Sequence, residues 1–219
     1  MANTHKEYVL EVFSDQNFVR DIVKGVLHTI FFHRYFPSIR PSLYTPTSAV
    51  SYSSSRSQES LPVPLPAIHE PVEISAAIDA HAAALVSQLT SSSSNAGANG
   101  SRGEIVVQLF DRKRRKTGIT GGWLGRLGGT HQTEEEVCWE EWVVQVVVAR
   151  PRTEADRIKV RRAMETSLQK AAMKIVAIVN RDKDHIPPIL TSEQNPFPYK
   201  ILVNPRQQQS LDRGFGGWT

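Results

Sequence analysis

The sequence predicts an α+β domain, and three observations support that prediction. Residues 137–149 contain the run Trp-Val-Val-Gln-Val-Val-Val, which is rich in β-branched residues and favours a buried strand. Residues 104–110 form a second strand that is apolar on both faces, which places it inside a sheet. Segments with apolar residues at helical spacing precede and follow this pair. We therefore expect the two strands to form an antiparallel ribbon at the centre of a sheet.

The chain begins with a predicted strand and helix. Residues 7–13 are rich in β-branched and aromatic residues, and Ser14 or Asp15 can cap the helix that follows them. That helix should end near Tyr35, because Pro37 disfavours helical geometry in the residue before it. Its apolar positions recur at the three-and-four spacing of one buried face: Phe18, Ile22, Val23, Val26, Leu27, Ile30 and Phe31.

A segment rich in proline and serine follows, over residues 38–71. It has too little apolar surface to offset the entropy lost on ordering, so we expect much of it to be mobile. Residues 43–52 and 67–74 could still form weak strands, which prolines would confine to an edge. The run Pro-Val-Pro-Leu-Pro at residues 62–66 suits either a linker or a polyproline ligand for another module.

The second half predicts two more helices and a last strand. Ser75 is a good cap for a helix whose apolar stripe ends near Leu89, and residues 90–102 have the composition of a flexible linker. Thr153 opens a capping box before the longest helix, which runs to about Asn180. Residues 199–203 form the last strand before a polar tail.

Composition limits the cellular setting. The chain has 219 residues, 40% of them hydrophobic, and a net charge of +4, which suits one domain with insertions. Cys138 is the single cysteine, which excludes an intramolecular disulfide and a zinc site assembled from several cysteines. Residues 1–13 lack the features of a signal peptide, and no apolar run approaches the roughly 18 residues of a membrane helix. The chain is expected in the cytosol or nucleus.

The search for catalytic chemistry finds no constellation, and we predict no enzyme activity, metal or cofactor. Metalloprotease, P-loop, dinucleotide-binding and nucleophile-elbow motifs are all absent from the sequence. Cys138 with His131 or His185 would be a nucleophile and base, but a packed thiol at the start of an apolar strand is commoner. His28 and His33 lie five residues apart, on different helix faces, and are predicted to be packing or surface residues.

A basic run faces an acidic one across the central strands. The acidic side includes Glu134, Glu135, Glu136, Glu140 and Glu141, and the segregated charges suit cross-strand pairing or a solvated stem. The alternative is an electrostatic patch that binds nucleic acid or an anionic membrane. The basic residues are Arg112, Lys113, Arg114, Arg115 and Lys116.

Trp123 and Leu124 stand out in the loop between the central strands. Glycines surround Trp123, so it has few local neighbours to pack against. Either the loop folds back and buries the side chain, or Trp123 is an exposed aromatic anchor for a partner, because tryptophan supplies a large contact area with little rotamer entropy to lose.

Taken together, four segments resemble the autophagy-related protein 101 family. They are residues 26–34 (Val-Leu-His-Thr-Ile-Phe-Phe-His-Arg), 139–142 (Trp-Glu-Glu-Trp), 175–181 (Ile-Val-Ala-Ile-Val-Asn-Arg) and 199–201 (Tyr-Lys-Ile). Each is weak alone, and their order and spacing make the combination specific. The resemblance does not cover residues 38–66, the Ser/Gly linker or the tail.

The resemblance implies a HORMA domain, with three helices on one face of an antiparallel sheet and a smaller accessory hairpin. It implies a non-enzymatic adaptor of the autophagy-initiation kinase complex that pairs with, and stabilises, the HORMA domain of autophagy-related protein 13. The family's central loop is a finger that bears Trp and Phe and recruits downstream factors. Trp123 matches the Trp, while Leu124 or Leu127 stands where the second aromatic is expected.

These expectations give a domain plan. Residues 1–204 form one HORMA domain, with flexible insertions at about 38–66 and 90–102 and a finger loop at about 112–133. Residues 205–219 form a polar tail. The family resemblance further implies a cytoplasmic protein that is recruited to the phagophore assembly site, with at most peripheral membrane contact.

Overall fold

The computed structural model describes residues 5–46, 61–91, 101–115, 133–189 and 196–205. Within them lie three helices and six strands, which confirms the α+β class and is consistent with a HORMA-like fold. The elements in chain order are β1 (Lys6–Asp15), α1 (Val19–Arg34), β2 (Arg40–Tyr44), β3 (Leu65–Glu70), α2 (Val72–Ser91), β4 (Ser101–Arg115), β5 (Thr133–Ala149), α3 (Glu154–Arg181) and β6 (Tyr199–Val203).

Four strands form the main sheet in the order β1-β5-β4-β6, so the predicted hairpin of β4 and β5 is at its centre. β6 pairs antiparallel with β4, but β1 runs parallel to β5, which makes the sheet mixed and not wholly antiparallel. Parallel neighbours need a long crossover connection, and the chain between β1 and β5 includes two helices. The accessory hairpin is also present, as β2 paired with β3.

All three helices contribute to one hydrophobic core on a single face of the sheet. Alternate residues of each strand point into it, as the two-residue period of a strand requires. Trp142 of β5, Leu10 of β1 and Ile105 of β4 have no exposed surface. The deepest helical contributions are Ile22, Leu27, Ile30, Phe31, Ile78, Leu85, Leu168 and Ile175.

The outer edge of β1 is covered by α3. The backbone N–H of Phe13 donates to Ser167 Oγ (2.9 Å), and Lys174 Nζ donates to the carbonyl of Val9 (2.7 Å). A third contact joins the N–H of Asp15 to Met164 Sδ (2.9 Å). An edge strand with free backbone groups can pair with another chain, so this cover protects the sheet.

Two helices begin where local cap rules did not place them. α1 starts after Phe18 without a side-chain cap. The Asp15 carboxylate, which was expected to cap it, instead accepts the N–H of Asn17 at Oδ1 (2.8 Å) in the turn before the helix. α2 starts at Val72 directly after Pro71, so Ser75 lies inside the helix and does not cap it. Proline favours the first turn of a helix, and the extra turn buries Ile74. By contrast, the Thr153 cap of α3 is confirmed, with Oγ1 accepting the N–H of Asp156 (3.1 Å).

The β2–β3 hairpin packs against α1 at Gly25. A side chain there would place its Cβ 2.6 Å from Leu65 Cδ1, so the glycine permits the close approach of β3. His28 lies beneath the same hairpin and accepts the N–H of Ile68 at Nδ1 (3.4 Å). Burial and the nearby Lys24 lower the pKa of His28 to about 4, so it is a neutral packing residue, as expected.

The predicted flexible regions lie largely outside the described residues. β2 ends at Tyr44, and residues 47–60 and 92–100 are not described. The linker predicted over 90–102 is shorter than expected, because α2 continues to Ser91 and β4 begins at Ser101. No helix in the described ranges is both long and apolar enough to cross a membrane.

Asn204 ends β6 in a left-handed conformation, with φ of 47°. Its side-chain Oδ1 accepts the N–H of Glu104 (2.7 Å), and its Nδ2 donates to Gln88 Oε1 (2.6 Å). Asparagine tolerates positive φ better than most residues, and these bonds tie the end of β6 to β4 and α2.

We expect Asn204→Ala to lower the free energy of unfolding by about 2–3 kcal/mol, since it removes two hydrogen bonds and places a Cβ-bearing residue without a polar group at positive φ. Urea denaturation measures the change. Asn204→Gly is the matched control: it loses the same bonds without the backbone strain, so it should cost less. An equal or larger loss for the glycine variant would contradict the strain argument.

Candidate protein-interaction arm and its buried anchor

The central hairpin continues beyond the sheet as a two-stranded arm. β6 pairs with β4 only as far as Leu109, and β1 pairs with β5 only from Glu140 onward. Past that level, residues 110–115 and 133–139 form a two-stranded ladder with each other, and within the described chain the Phe110 N–H also donates to the Pro198 carbonyl (2.8 Å). We call this segment the arm. It joins residues 116–132 to the body of the domain.

Along the arm, the backbone register pairs basic residues of β4 with acidic residues of β5. Arg112 is paired with Glu136, Lys113 with Glu135, and Arg114 with Glu134 in the backbone register. This register agrees with the cross-strand pairing expected of the two runs. The carboxylates of Glu135 and Glu136 reduce the positive potential with which residues 112–116 would attract nucleic acid or anionic lipid. Binding of either by residues 112–116 remains a prediction.

Lys200 of β6 ties the arm to the sheet. Its Nζ lies 3.1 Å from Glu136 Oε2 and 4.4 Å from the centre of the Phe110 ring. An exposed ion pair contributes little to stability, while a cation over an aromatic face adds about 0.5–1 kcal/mol. These contacts therefore orient the arm more than they stabilise the fold.

A β-bulge marks the base of the arm. Pairing passes from Leu109 with Glu140 directly to Phe110 with Cys138, so Trp139 has no residue opposite it. An extra residue shifts the alternation of side chains by one position and bends the strand. The bulge therefore sets the direction in which the arm leaves the sheet.

Because of the bulge, two consecutive residues of β5 face the helices. The Trp139 ring lies 5.2 Å from Phe197 and 5.5 Å from His185. Glu140 contacts the same histidine, with His185 Nε2 2.6 Å from its Oε2. The loop that precedes β6 is thus held against the base of the arm by both residues.

Glu140 is the centre of a buried polar anchor. It has no exposed surface, and Arg34 at the end of α1 is 3% exposed. Arg34 Nε donates to both carboxylate oxygens (2.8 and 3.0 Å), and the indole N–H of Trp142 donates to Oε1. Arg34 also donates to the carbonyl of Asp182 (3.0 Å). A buried carboxylate needs such donors, because an uncompensated charge in the interior is very costly.

A second polar layer extends the anchor to β1. Tyr8 donates its hydroxyl proton to Asp182 Oδ2 (2.9 Å), and its ring lies 4.8 Å from that of Trp142. Burial, followed by the bond to Asp182, raises the pKa of Tyr8. Hydrogen bonds from Arg181 and then Tyr8 hold the pKa of the Asp182 carboxyl well below its usual range. The ion pair thus joins α1, β5, β1 and the end of α3.

The anchor was not predicted from the sequence. Glu140 was assigned to the exposed acidic run, and Arg34 was only the end of a helix motif. One signal was available, namely two glutamates between two tryptophans at the start of a strongly apolar strand. Its partner lies 106 residues away in the chain, which no local pattern encodes. Glu140 is also inaccessible to any substrate, which assigns the anchor a structural role.

The predicted finger residues lie outside the described residues. Trp123, Leu124 and Leu127 fall in the segment that the arm carries, as do Lys116 and His131. The remaining basic residues, 112–115, belong to β4. The finger loop was predicted to span 112–133, and its first four residues and its last residue are part of β4 and β5.

α3 has exposed apolar residues on the side away from the core. Met173 is 64% exposed and Val176 36%, and their three-residue spacing places them side by side. Ile158, 50% exposed, lies on the same side nearer the start of the helix, and the exposed Arg162 and Gln169 lie between it and Met173. Exposed apolar residues that align on one helix face are typical of protein contact surfaces.

A cleft of about 550 Å³ lies near the loop before β6. Among the described residues that line it, Tyr35 supplies a phenol, whose pKa is raised chiefly by burial. The residues lining it are Tyr35, Phe36, Pro37, Ser38, Pro71, Ile189 and Pro196.

Fold and surfaces together define an α+β domain, consistent with a HORMA-like fold, that has a two-stranded arm and exposed apolar residues on α3. A family model described as Autophagy-related protein 101 matches residues 11–193, and the chain belongs to that family. Autophagy-related protein 101 of Schizosaccharomyces pombe is 24% identical over 93% of this chain and 88% of its own length. The Arabidopsis thaliana protein of the same name is 22% identical over 96% and 88%. An autophagy-related role follows from this membership.

Proposed function

We propose that this protein is a non-enzymatic adaptor subunit of an autophagy-initiation kinase complex. It pairs with the HORMA domain of autophagy-related protein 13, stabilises it, and recruits downstream autophagy factors through the finger at the tip of the arm. The observation that supports recruitment is the arm itself, since β4 and β5 continue past the level where β6 and β1 pair with them. In this proposal the protein acts in the cytoplasm and at the phagophore assembly site.

The pairing surface that we propose is the exposed face of α3 around Met173 and Val176. Burying these side chains on a partner removes apolar surface from water, at roughly 25 cal/mol per Å². Hydrogen bonds of Ser167 and Lys174 with the β1 backbone fix α3 to the sheet. The exposed face of α3 is therefore rigid, so that little conformational entropy is lost when a partner binds it. The finger and the pairing face are then separate surfaces.

Co-expression with the partner HORMA domain, followed by mass measurement in solution, tests the proposal. We expect a one-to-one complex that survives gel filtration, and a partner that is less soluble when expressed alone. Two separate monomeric species at micromolar concentration would contradict the adaptor role.

Met173→Glu should weaken this complex at least about tenfold, because a charge would be buried at the centre of an apolar contact. Affinity is measured by isothermal titration calorimetry. Ala155→Glu is the matched control, an exposed position in the first turn of α3 where an acidic residue is favourable. If the two variants bind alike, the pairing surface lies elsewhere.

A further inference from the structure

Three potential metal ligands, two from β5 and one from the residue before β1, converge on the face of the sheet opposite the helices. The ligand atoms of His5, Cys138 and Glu141 all lie within 4.8 Å of one another. His5 Nε2 is 3.9 Å from Glu141 Oε2. One imidazole, one thiol and one carboxylate form a donor set that suits zinc and similar divalent ions.

The bulge at Trp139 creates this convergence. In a regular strand, Cys138 and Glu141 would point to opposite faces, because they are three residues apart. The extra residue shifts the alternation, and Cys138 then lies opposite Phe110 while Glu141 lies opposite Gln108, two residues that share one face of β4. His5 immediately precedes the residue of β1 that pairs with Glu140, so it reaches the same level of the sheet.

We propose that His5, Cys138 and Glu141 bind a zinc-class divalent cation at the base of the arm. Zinc binds sulfur at about 2.3 Å and nitrogen at about 2.0–2.1 Å, so tetrahedral ligands are about 3.5 Å apart. The exposed His5 ring closes the remaining distance by rotating. Water completes the coordination, as in zinc sites with three protein ligands.

Neighbouring groups favour a cation at this position. Glu7 pairs with Glu141 in the parallel register, which places two carboxylates side by side on that face. Gln108 Nε2 donates to Glu141 Oε2 (2.6 Å) and orients the carboxylate, as outer-shell residues do in metal sites.

The bound cation would join the start of β1 to the base of the arm. Strand pairing does not join β1 to the arm, because β1 pairs with β5 only from Lys6 opposite Glu140 onward. A metal ion coordinated by both His5 and Cys138 would link β1 to the arm at the residue just beyond the bulge. The direction of the arm would then depend on metal occupancy.

Cobalt and zinc titrations of the tag-free full chain test the site. We expect one equivalent of Co²⁺ to produce a thiolate-to-metal charge-transfer band that Zn²⁺ abolishes, since Zn²⁺ binds more tightly. Cys138→Ser should remove the band, and Glu141→Gln should weaken Zn²⁺ binding at least about tenfold. His69→Ala, at an exposed histidine of β3, is the matched control and should bind as the unaltered chain does.

Bound Co²⁺ without the charge-transfer band, or Zn²⁺ affinity that Cys138→Ser leaves unchanged, would overturn the proposal. So would the lack of saturable Zn²⁺ binding by the unaltered chain. His5→Ala keeps the test decisive if the strand variants fold poorly, because His5 is exposed and precedes β1. It should reduce Zn²⁺ affinity at least about tenfold and remove the rise in melting temperature that Zn²⁺ gives the unaltered chain.

Discussion

Arg34→Met is expected to lower the free energy of unfolding by about 3–5 kcal/mol, the largest stability effect that we predict for a single substitution. The methionine retains much of the side-chain volume but removes the guanidinium that donates to both oxygens of Glu140 (2.8 and 3.0 Å). It leaves a carboxylate with no exposed surface and without its cationic partner. The measurement is urea denaturation at neutral pH, with the slope checked for two-state behaviour.

Two further variants separate charge from packing. Arg181→Met is the matched control, because Arg181 also binds a carboxylate, that of Asp182, but its side chain is 71% exposed, so the loss should stay below about 1 kcal/mol. The double variant Arg34→Met with Glu140→Leu should recover much of the stability, since an apolar pair needs no compensation. If Arg34→Met costs no more than Arg181→Met, then Glu140 is not the charged centre of the anchor.

Elements that depend on local sequence were predicted well. β6 has the predicted limits of 199 and 203, and α3 begins at the Thr153 cap and ends one residue after the expected Asn180. Both follow from side-chain periodicity and short-range hydrogen bonds, which depend only on residues close together in the sequence. The starts of α1 and α2 were missed because the tertiary burial of Val19 and Ile74 overrides the local caps.

Relations between distant segments were not accessible from the sequence. The parallel pairing of β1 with β5 joins residues more than 130 positions apart, and no turn determines it. The bulge at Trp139 is a single extra residue, which leaves the alternation of β5 looking almost regular. The anchor at Glu140 and the proposed metal site at Cys138 both depend on the extra residue, Trp139. From the sequence alone, Glu140 was predicted to be a surface charge and Cys138 a packed thiol.

The bulge separates the two faces of the arm's base into different roles. On the helix side, Trp139 and Glu140 fix the loop before β6, through contacts with Phe197 and His185. On the other side, Cys138 and Glu141 face His5. A change on either face alters the direction of the arm without touching its tip, so variants at this level should change recruitment through orientation.

The double variant Trp123→Ala with Leu124→Ala should abolish recruitment of downstream factors while leaving the fold and the HORMA heterodimer intact. Tryptophan anchors at interfaces contribute 2 kcal/mol or more, so affinity should fall by about 30-fold or more. The heterodimer should be unaffected, because the proposed pairing residues Met173 and Val176 belong to α3 and not to the segment between β4 and β5. Pull-down of downstream factors by the purified heterodimer measures the loss, and gel filtration confirms that the complex is intact.

Lys113→Ala, on the exposed part of the arm opposite Glu135, is the control that should retain recruitment. Loss of the heterodimer in the double variant would show that one surface serves both contacts, and unchanged recruitment would remove the finger from the mechanism.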